Sequence, residues 1–228
     1  VQYFVFFTRN TNGLQAKSIV YEIFFYNIDE LKPEWIREIK NQVSNIEDIT
    51  VTLGGLYRLI IHDILSPKIS KMIYLDSDTI VNLDIAELWK FDLKNFPIAA
   101  IPASSAGDVE VVKNGIVDAK DYFNSGVLIL NLNQLRSSYG RGGELLFKSV
   151  DILKSNPDYL FADQDALNII FNRNYLKLFD SITQFFFADY QRRSEADDVL
   201  VCRLCKNAVF GHLQANIPCF LAVHRLND

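Results

Sequence analysis

The chain has 228 residues, of which 49% are hydrophobic and 22% charged, so it can bury one substantial core and lacks the composition of a disordered segment. A net charge of −5 and a sequence pI near 5.3 leave no global positive field to gather nucleic acid, and no Lys/Arg run supplies one locally. No stretch reaches the roughly 18 uninterrupted apolar residues of a membrane span, the start VQYFVFFTRN lacks the features of a secretory signal, and three late cysteines (Cys202, Cys205, Cys219) do not resemble a disulfide scaffold, so a cytoplasmic protein is expected.

In chain order, the apolar runs Tyr3 to Phe7 and Tyr21 to Tyr26 suit strands buried on both faces. ELKPEWIREIKNQV, after Asp29, carries Leu31, Trp35, Ile36, Ile39 and Val43 at helical spacing, with Pro33 at an early helical position. Ile49 to Leu53 reads as a third strand, Gly54 and Gly55 as loop, and Leu56 to Leu65 as a helix with Tyr57 and Arg58 in its first turn. Met72 to Leu75, Pro97 to Ile101 and Val127 to Leu132 are further strands, with a loop between the last two, and Asp163 to Phe171 is a helix. Alternating buried strands and helices predict one α/β domain over residues 1–228: a Rossmann-like core to about residue 180 with a mostly parallel central sheet flanked by helices, and a C-terminal segment 181–228 in which the pattern weakens. Too few residues separate the first two strands for a full crossover helix.

Asp76-Ser77-Asp78 stands where an apolar strand gives out. In extended chain, residues i and i+2 point the same way, so Asp76 and Asp78 can face one hard cation bridging a pyrophosphate; equally, the pair can be a solvated loop. Arg58 can clamp phosphate or sugar hydroxyls through its fork, or be an exposed helix arginine. Asn124, Ser125 and Gly126 precede a buried strand and can bond sugar hydroxyls, or form a turn. Asp163-Gln164-Asp165 opens a helix, where Asp163 can cap and its neighbours can face a sugar. Among the histidines, His62 reads as a structural residue, and Cys202, Cys205, His212 and Cys219 have the ligand types of a zinc site without its second close pair.

YRLIIHDILSPKISKMIYLDSDTIVNLDIAELW, YFNSGVLILNLNQLR and FADQDALNIIF, in this order, resemble the retaining glycosyltransferases of family 8, over roughly Tyr21 to Phe171. The resemblance implies a GT-A fold, a UDP-sugar donor such as UDP-glucose or UDP-galactose, a glycan or glycoprotein acceptor, Mn²⁺ (or Mg²⁺) and retention of configuration, with peripheral membrane association left open. It implies Asp76 and Asp78 as metal ligands, with His212 as the third and His224 in reserve; Ser77 near the ribose; and Arg58 reaching the donor. It implies Asn124, Ser125 and Gly126 in the donor-sugar pocket, Asp163 on sugar hydroxyls, Gln164 nearest the anomeric carbon, and Thr8 and Asn10 at the uridine. The late segment GHLQANIPCF keeps Pro218 but not the lysine and tryptophan of the family pattern. Alternatives of other classes are a non-catalytic nucleotide-sugar binder and a phosphatase-like hydrolase with an Asp nucleophile.

Overall fold

The computed structural model describes residues 3–10, 20–43, 53–76, 80–81, 85–103, 106–155, 162–178, 186–187 and 221–225. The first two apolar runs form β1 (Tyr3–Asn10) and β2 (Val20–Asn27). The helix predicted after Asp29 is split at Lys32 into α1 (Ile28–Leu31) and α2 (Pro33–Val43), with Pro33 opening the second piece, where its missing N–H costs nothing. Ile36 and Ile39 of α2 are buried, as the helical spacing of its apolar residues requires.

Of the third predicted strand, residues 49–52 lie outside the described residues, and Leu53 opens a short helix, α3 (Leu53–Leu56), that takes in Gly54 and Gly55 in place of a loop. The single helix expected over Leu56 to Leu65 is a 3₁₀ turn (Tyr57–Ile60) followed by α4 (Ile61–Ile64). Next come β3 (Lys71–Leu75), β4 (Ile80–Val81), α5 (Ile85–Trp89) and β5 (Ile98–Pro102). The stretch expected as loop holds short turns of 3₁₀ helix at Ala106–Asp108 and Ala119–Asp121 around α6 (Glu110–Lys113). β6 (Phe123–Asn131) starts four residues earlier than expected and therefore contains Asn124, Ser125 and Gly126.

Besides α5, two longer helices escaped the sequence reading, α7 (Leu132–Tyr139) and α8 (Glu144–Ser155). The first carried a legible signal: Asn131 caps it, its Oδ1 accepting from the Gln134 backbone N at 3.0 Å. α9 (Ala162–Ile170) matches the predicted helix, and β7 (Leu176–Lys177), β8 (Phe186–Phe187) and β9 (Leu221–Arg225) complete the set. Among the described residues no helix is long and apolar enough to cross a membrane.

Seven strands form one sheet in the order β2-β1-β9-β3-β6-β5-β7, and β4 pairs with β8 apart from it. The expectation of a mostly parallel sheet is corrected. β1 runs parallel to β9 and β5 to β7, whereas β1–β2, β9–β3, β3–β6 and β6–β5 are antiparallel, so the sheet is mixed. Side chains alternate across it. Met72, Tyr74, Ile98, Ala100, Leu128 and Leu130 join one apolar layer with α7, α8 and α9, while Ile73, Leu75, Ala99, Val127 and Ile129 join another with Leu88, Leu93 and Leu178. Burial on both faces explains why β3 and β6 read as unbroken apolar runs, and such a run holds no record of strand direction.

Candidate functional site

At the C-terminal end of β3 the apolar layers stop and polar groups begin. Leu75 pairs with Val127, and the Asp76 backbone N donates to the Gly126 carbonyl at 2.8 Å, which sets Asp76 beside the start of β6. There the β5–β6 ladder is irregular: Ala100 pairs with Leu128 but the next residue, Ile101, pairs with Asn124. Residues 125–127 therefore have no β5 partner, and a bulge of this kind releases peptide groups that a regular ladder would consume. Both peptide groups of buried Ser125 go to side chains. Its N–H donates to Gln164 Oε1 at 2.9 Å, and its carbonyl accepts from Arg58 Nη1 at 2.8 Å.

Arg58 organises what surrounds this opening. Its side chain is only 9% exposed, which overturns the reading of an exposed helix arginine. Nη1 also donates to Ser125 Oγ at 3.0 Å, Nη2 lies 3.2 Å from Asp76 Oδ1, and Cζ sits 4.8 Å from the centre of the Tyr74 ring, within cation–π range. Nε donates to the Gly55 carbonyl at 3.1 Å and lies 2.9 Å from Asp163 Oδ2, so charge rather than an aligned hydrogen bond holds that carboxylate. One cation is thus shared by two carboxylates. Burial pushes the Asp163 carboxyl above the usual carboxylate range; the Arg58 charge opposes this and the Asp76 charge adds to it. α9 begins at Ala162, so Asp163 stands in its first turn and not at its cap.

The Tyr74 hydroxyl donates to Asp76 Oδ1 at 2.6 Å, and burial holds its pKa well above that of a free tyrosine. With Oδ1 held by Tyr74 and Arg58, Oδ2 is turned toward Gly126. A β-carbon on Gly126 would stand 3.0 Å from both Asp76 Oδ2 and Asn124 Oδ1, closer than carbon and oxygen sit in ordinary contact. The glycine therefore keeps open a cradle flanked by two oxygens, a donor set that suits a hard cation or a hydroxyl-bearing ligand.

Behind Ser125 lies a second polar layer. Gln164 Nε2 donates to the Tyr122 hydroxyl at 2.9 Å, and that hydroxyl donates to buried Asp165 Oδ1 at 2.7 Å. One helical turn on, buried Asn168 takes the Phe123 N–H on Oδ1 at 2.7 Å and donates Nδ2 to the Phe123 carbonyl at 2.8 Å. The spacings match: four helical residues rise about 6 Å and two strand residues advance about 6.6 Å, so Gln164 and Asn168 meet Ser125 and Phe123 in step.

The structure thus brings together Arg58, Asp76, Asn124, Ser125, Gly126, Asp163 and Gln164, from four separate parts of the chain. Ser77, Asp78, His212 and the three cysteines lie outside the described residues, and Thr8 and Asn10 are described only as β1 positions, opposite Glu22 and Val20, with His224 of β9 also opposite Thr8. Among the described residues no three His, Cys, Asp or Glu side chains gather as a metal site. Sequence reading missed Tyr74, Tyr122 and Asn168. Two were within reach of periodicity, since Tyr74 is two strand residues from Asp76 and Asn168 four helical residues from Gln164.

The family model for glycosyl transferase family 8 matches residues 10–199. General stress protein A of Bacillus subtilis (strain 168) is 32% identical over 138 residues, covering 58% of this chain and 46% of its own length. Lipopolysaccharide 1,2-glucosyltransferase of Escherichia coli (strain K12) is 29% identical over 118 residues, 50% of this chain and 33% of its own length. The match spans under half the length of each of these relatives. An active-site mutant of LgtC superposes with a TM-score of 0.51 at 20% identity, covering 82% of this chain and 64% of that one, and galactosyltransferase LgtC in complex with donor and acceptor sugar analogues gives 0.50 at 24% identity, covering 61% and 49%. These likenesses show the fold, which is GT-A. With its family model covering most of its length, the chain belongs to glycosyl transferase family 8.

Proposed function

We propose that this protein is a retaining hexosyltransferase that moves glucose or galactose from a UDP-sugar to a hydroxyl of a glycan or glycoprotein. The observation that carries the proposal is the convergence on Arg58 of Asp76, Ser125 and Asp163, at a strand end where Gly126 keeps a cradle open. Family membership favours transfer over the hydrolase alternative.

In this reading Asp76, with Asp78 and His212, would hold a Mn²⁺ or Mg²⁺ ion, whose chemistry is to offset the charge of the diphosphate leaving group. Ser77, Thr8 and Asn10 would contact the nucleoside. Asn124, Ser125 and the Gly126 cradle would receive the sugar, and Asp163, fixed by Arg58, would accept hydrogen bonds from its hydroxyls. Gln164 would lie under the anomeric carbon. Because an amide is a poor nucleophile, attack is from the front face: the acceptor oxygen bonds to the anomeric carbon as the bond to UDP breaks, and a diphosphate oxygen takes the acceptor proton. A reducing, cytoplasmic setting belongs to the same proposal and rests on the sparse cysteines.

The test is UDP release from UDP-glucose and UDP-galactose with Mn²⁺. Turnover that disappears with chelator and in Asp78→Asn is the expected result. Undiminished turnover in that variant would remove the metal assignment, and UDP binding by calorimetry without release from any UDP-sugar would leave a non-catalytic binder.

A further inference from the structure

A backbone group settles the direction of every hydrogen bond around Gln164. The Ser125 N–H can only donate, so the Gln164 atom 2.9 Å away is its oxygen and the amide cannot be flipped. Ser125 Oγ lies 3.3 Å from the same oxygen, so Oε1 carries two contacts. Nε2 must then donate to the Tyr122 hydroxyl, which passes its own proton toward Asp165 Oδ1. Tyr122 and Asp165 are buried, 1% and 0% exposed, so water is poorly placed to substitute for either.

We propose that Tyr122 is a positioning residue of the transfer site: its hydroxyl, held between Asp165 and Gln164, locks the Gln164 amide so that it presents its second N–H, and not its oxygen, toward the donor sugar. The proposal rests on the transferase reading and refines it. A locked amide with an occupied oxygen acts on the donor as a hydrogen-bond donor. A glutamine free to rotate would instead spread over several orientations, most of them unproductive. The 3₁₀ turn before Tyr122 is itself braced, since Asp121 takes Lys177 Nζ at 2.6 Å and Arg173 Nε at 3.1 Å.

Two measurements on Tyr122→Phe test this. The first is the Gln164 side-chain amide signal in the NMR spectrum, identified by its loss in Gln164→Ala; faster hydrogen exchange and a shifted resonance are expected. The second is UDP release from UDP-glucose and UDP-galactose with Mn²⁺: kcat should fall roughly ten- to a hundredfold with KM nearly unchanged. Introduced into Gln164→Ala, the same change should cost nothing more, because Tyr122 acts through that amide. Should loss of the Tyr122 hydroxyl beside buried Asp165 unfold the single variant, Tyr122→Phe with Asp165→Leu removes both partners of that hydrogen bond and carries the same expectations. Wild-type kcat in a folded Tyr122→Phe protein, or losses that multiply fully with Gln164→Ala, would overturn the proposal. If the wild type releases UDP from neither donor, the transferase reading fails, and an unchanged amide signal in Tyr122→Phe then sinks the positioning role on its own.

Discussion

Arg58 is the residue on which the site's electrostatics turn. Removing its charge leaves Asp76 and Asp163 facing each other across a partly dry opening, with the Ser125 carbonyl short of a donor. Arg58→Ala should therefore destabilise the fold by roughly 3 kcal/mol, as expected for breaking a largely buried pair, and abolish UDP release; urea unfolding and the release assay read the two effects separately. Arg58→Lys should rescue little, because one ammonium cannot reach two carboxylates and a carbonyl as a fork does. Gly126→Ala makes the opposite division. Its added carbon meets the ends of two side chains rather than backbone, so stability should change by about 1 kcal/mol or less, while displacement of Asp76 Oδ2 should cut turnover about tenfold or more. Unfolding equally severe to that of Arg58→Ala would contradict this reading of the glycine.

At the scale of single elements, α9 and α4 make distinct predictions. Asn168 stands in for a neighbouring strand by meeting both peptide groups of Phe123. Asn168→Ala orphans a buried N–H and a buried carbonyl, so a loss of about 2 to 4 kcal/mol is expected, with the Phe123 and α9 amides the first to lose hydrogen-exchange protection. In α4, buried His62 and Asp63 titrate against each other. Burial, helped by Arg136, lowers the His62 pKa to about 4, and burial raises that of Asp63 to about 6. Between pH 4 and 6 the unfolded chain protonates His62 and the native state does not, so this group makes stability rise with pH. Over the same window the native state protonates Asp63 and the unfolded chain does not, so this group makes stability fall with pH. The two slopes, each at most about 1.4 kcal/mol per pH unit, oppose each other. His62→Gln should leave stability declining from pH 4 to 6 and Asp63→Asn should leave it climbing from pH 4 to 6.5; parallel profiles for the two variants in urea unfolding would refute the assignment.

For the whole molecule, what the sequence disclosed depended on whether the cause was local. Unbroken apolar runs announced β1, β2, β3 and β5, and the 3.6-residue spacing of Trp35, Ile36 and Ile39 announced α2. Strand direction was illegible, because a strand covered on both faces looks alike in either orientation. The start of β6 was illegible for another reason: Asn124, Ser125 and Gly126 have turn-like composition and are held extended by Arg58 and Gln164, which stand 67 and 39 residues from Ser125. The resemblance placed Arg58, Asp76, Ser125, Asp163 and Gln164 in one neighbourhood, and the structure adds the tyrosines and the asparagine that hold them there.

The three-way sharing of the Arg58 guanidinium also bears on how the molecule folds. Its partners lie just past β3, on β6 and on α9, so the fork is satisfied only when segments more than a hundred residues apart along the chain have docked. Closing such long loops is slow compared with forming any one helix or hairpin. The opening around Arg58 is therefore expected to be among the last features to mature. A ligand that binds there should stabilise the complete molecule and no partly folded fragment of it, and raising its concentration a hundredfold above its dissociation constant should add about 2.7 kcal/mol to unfolding.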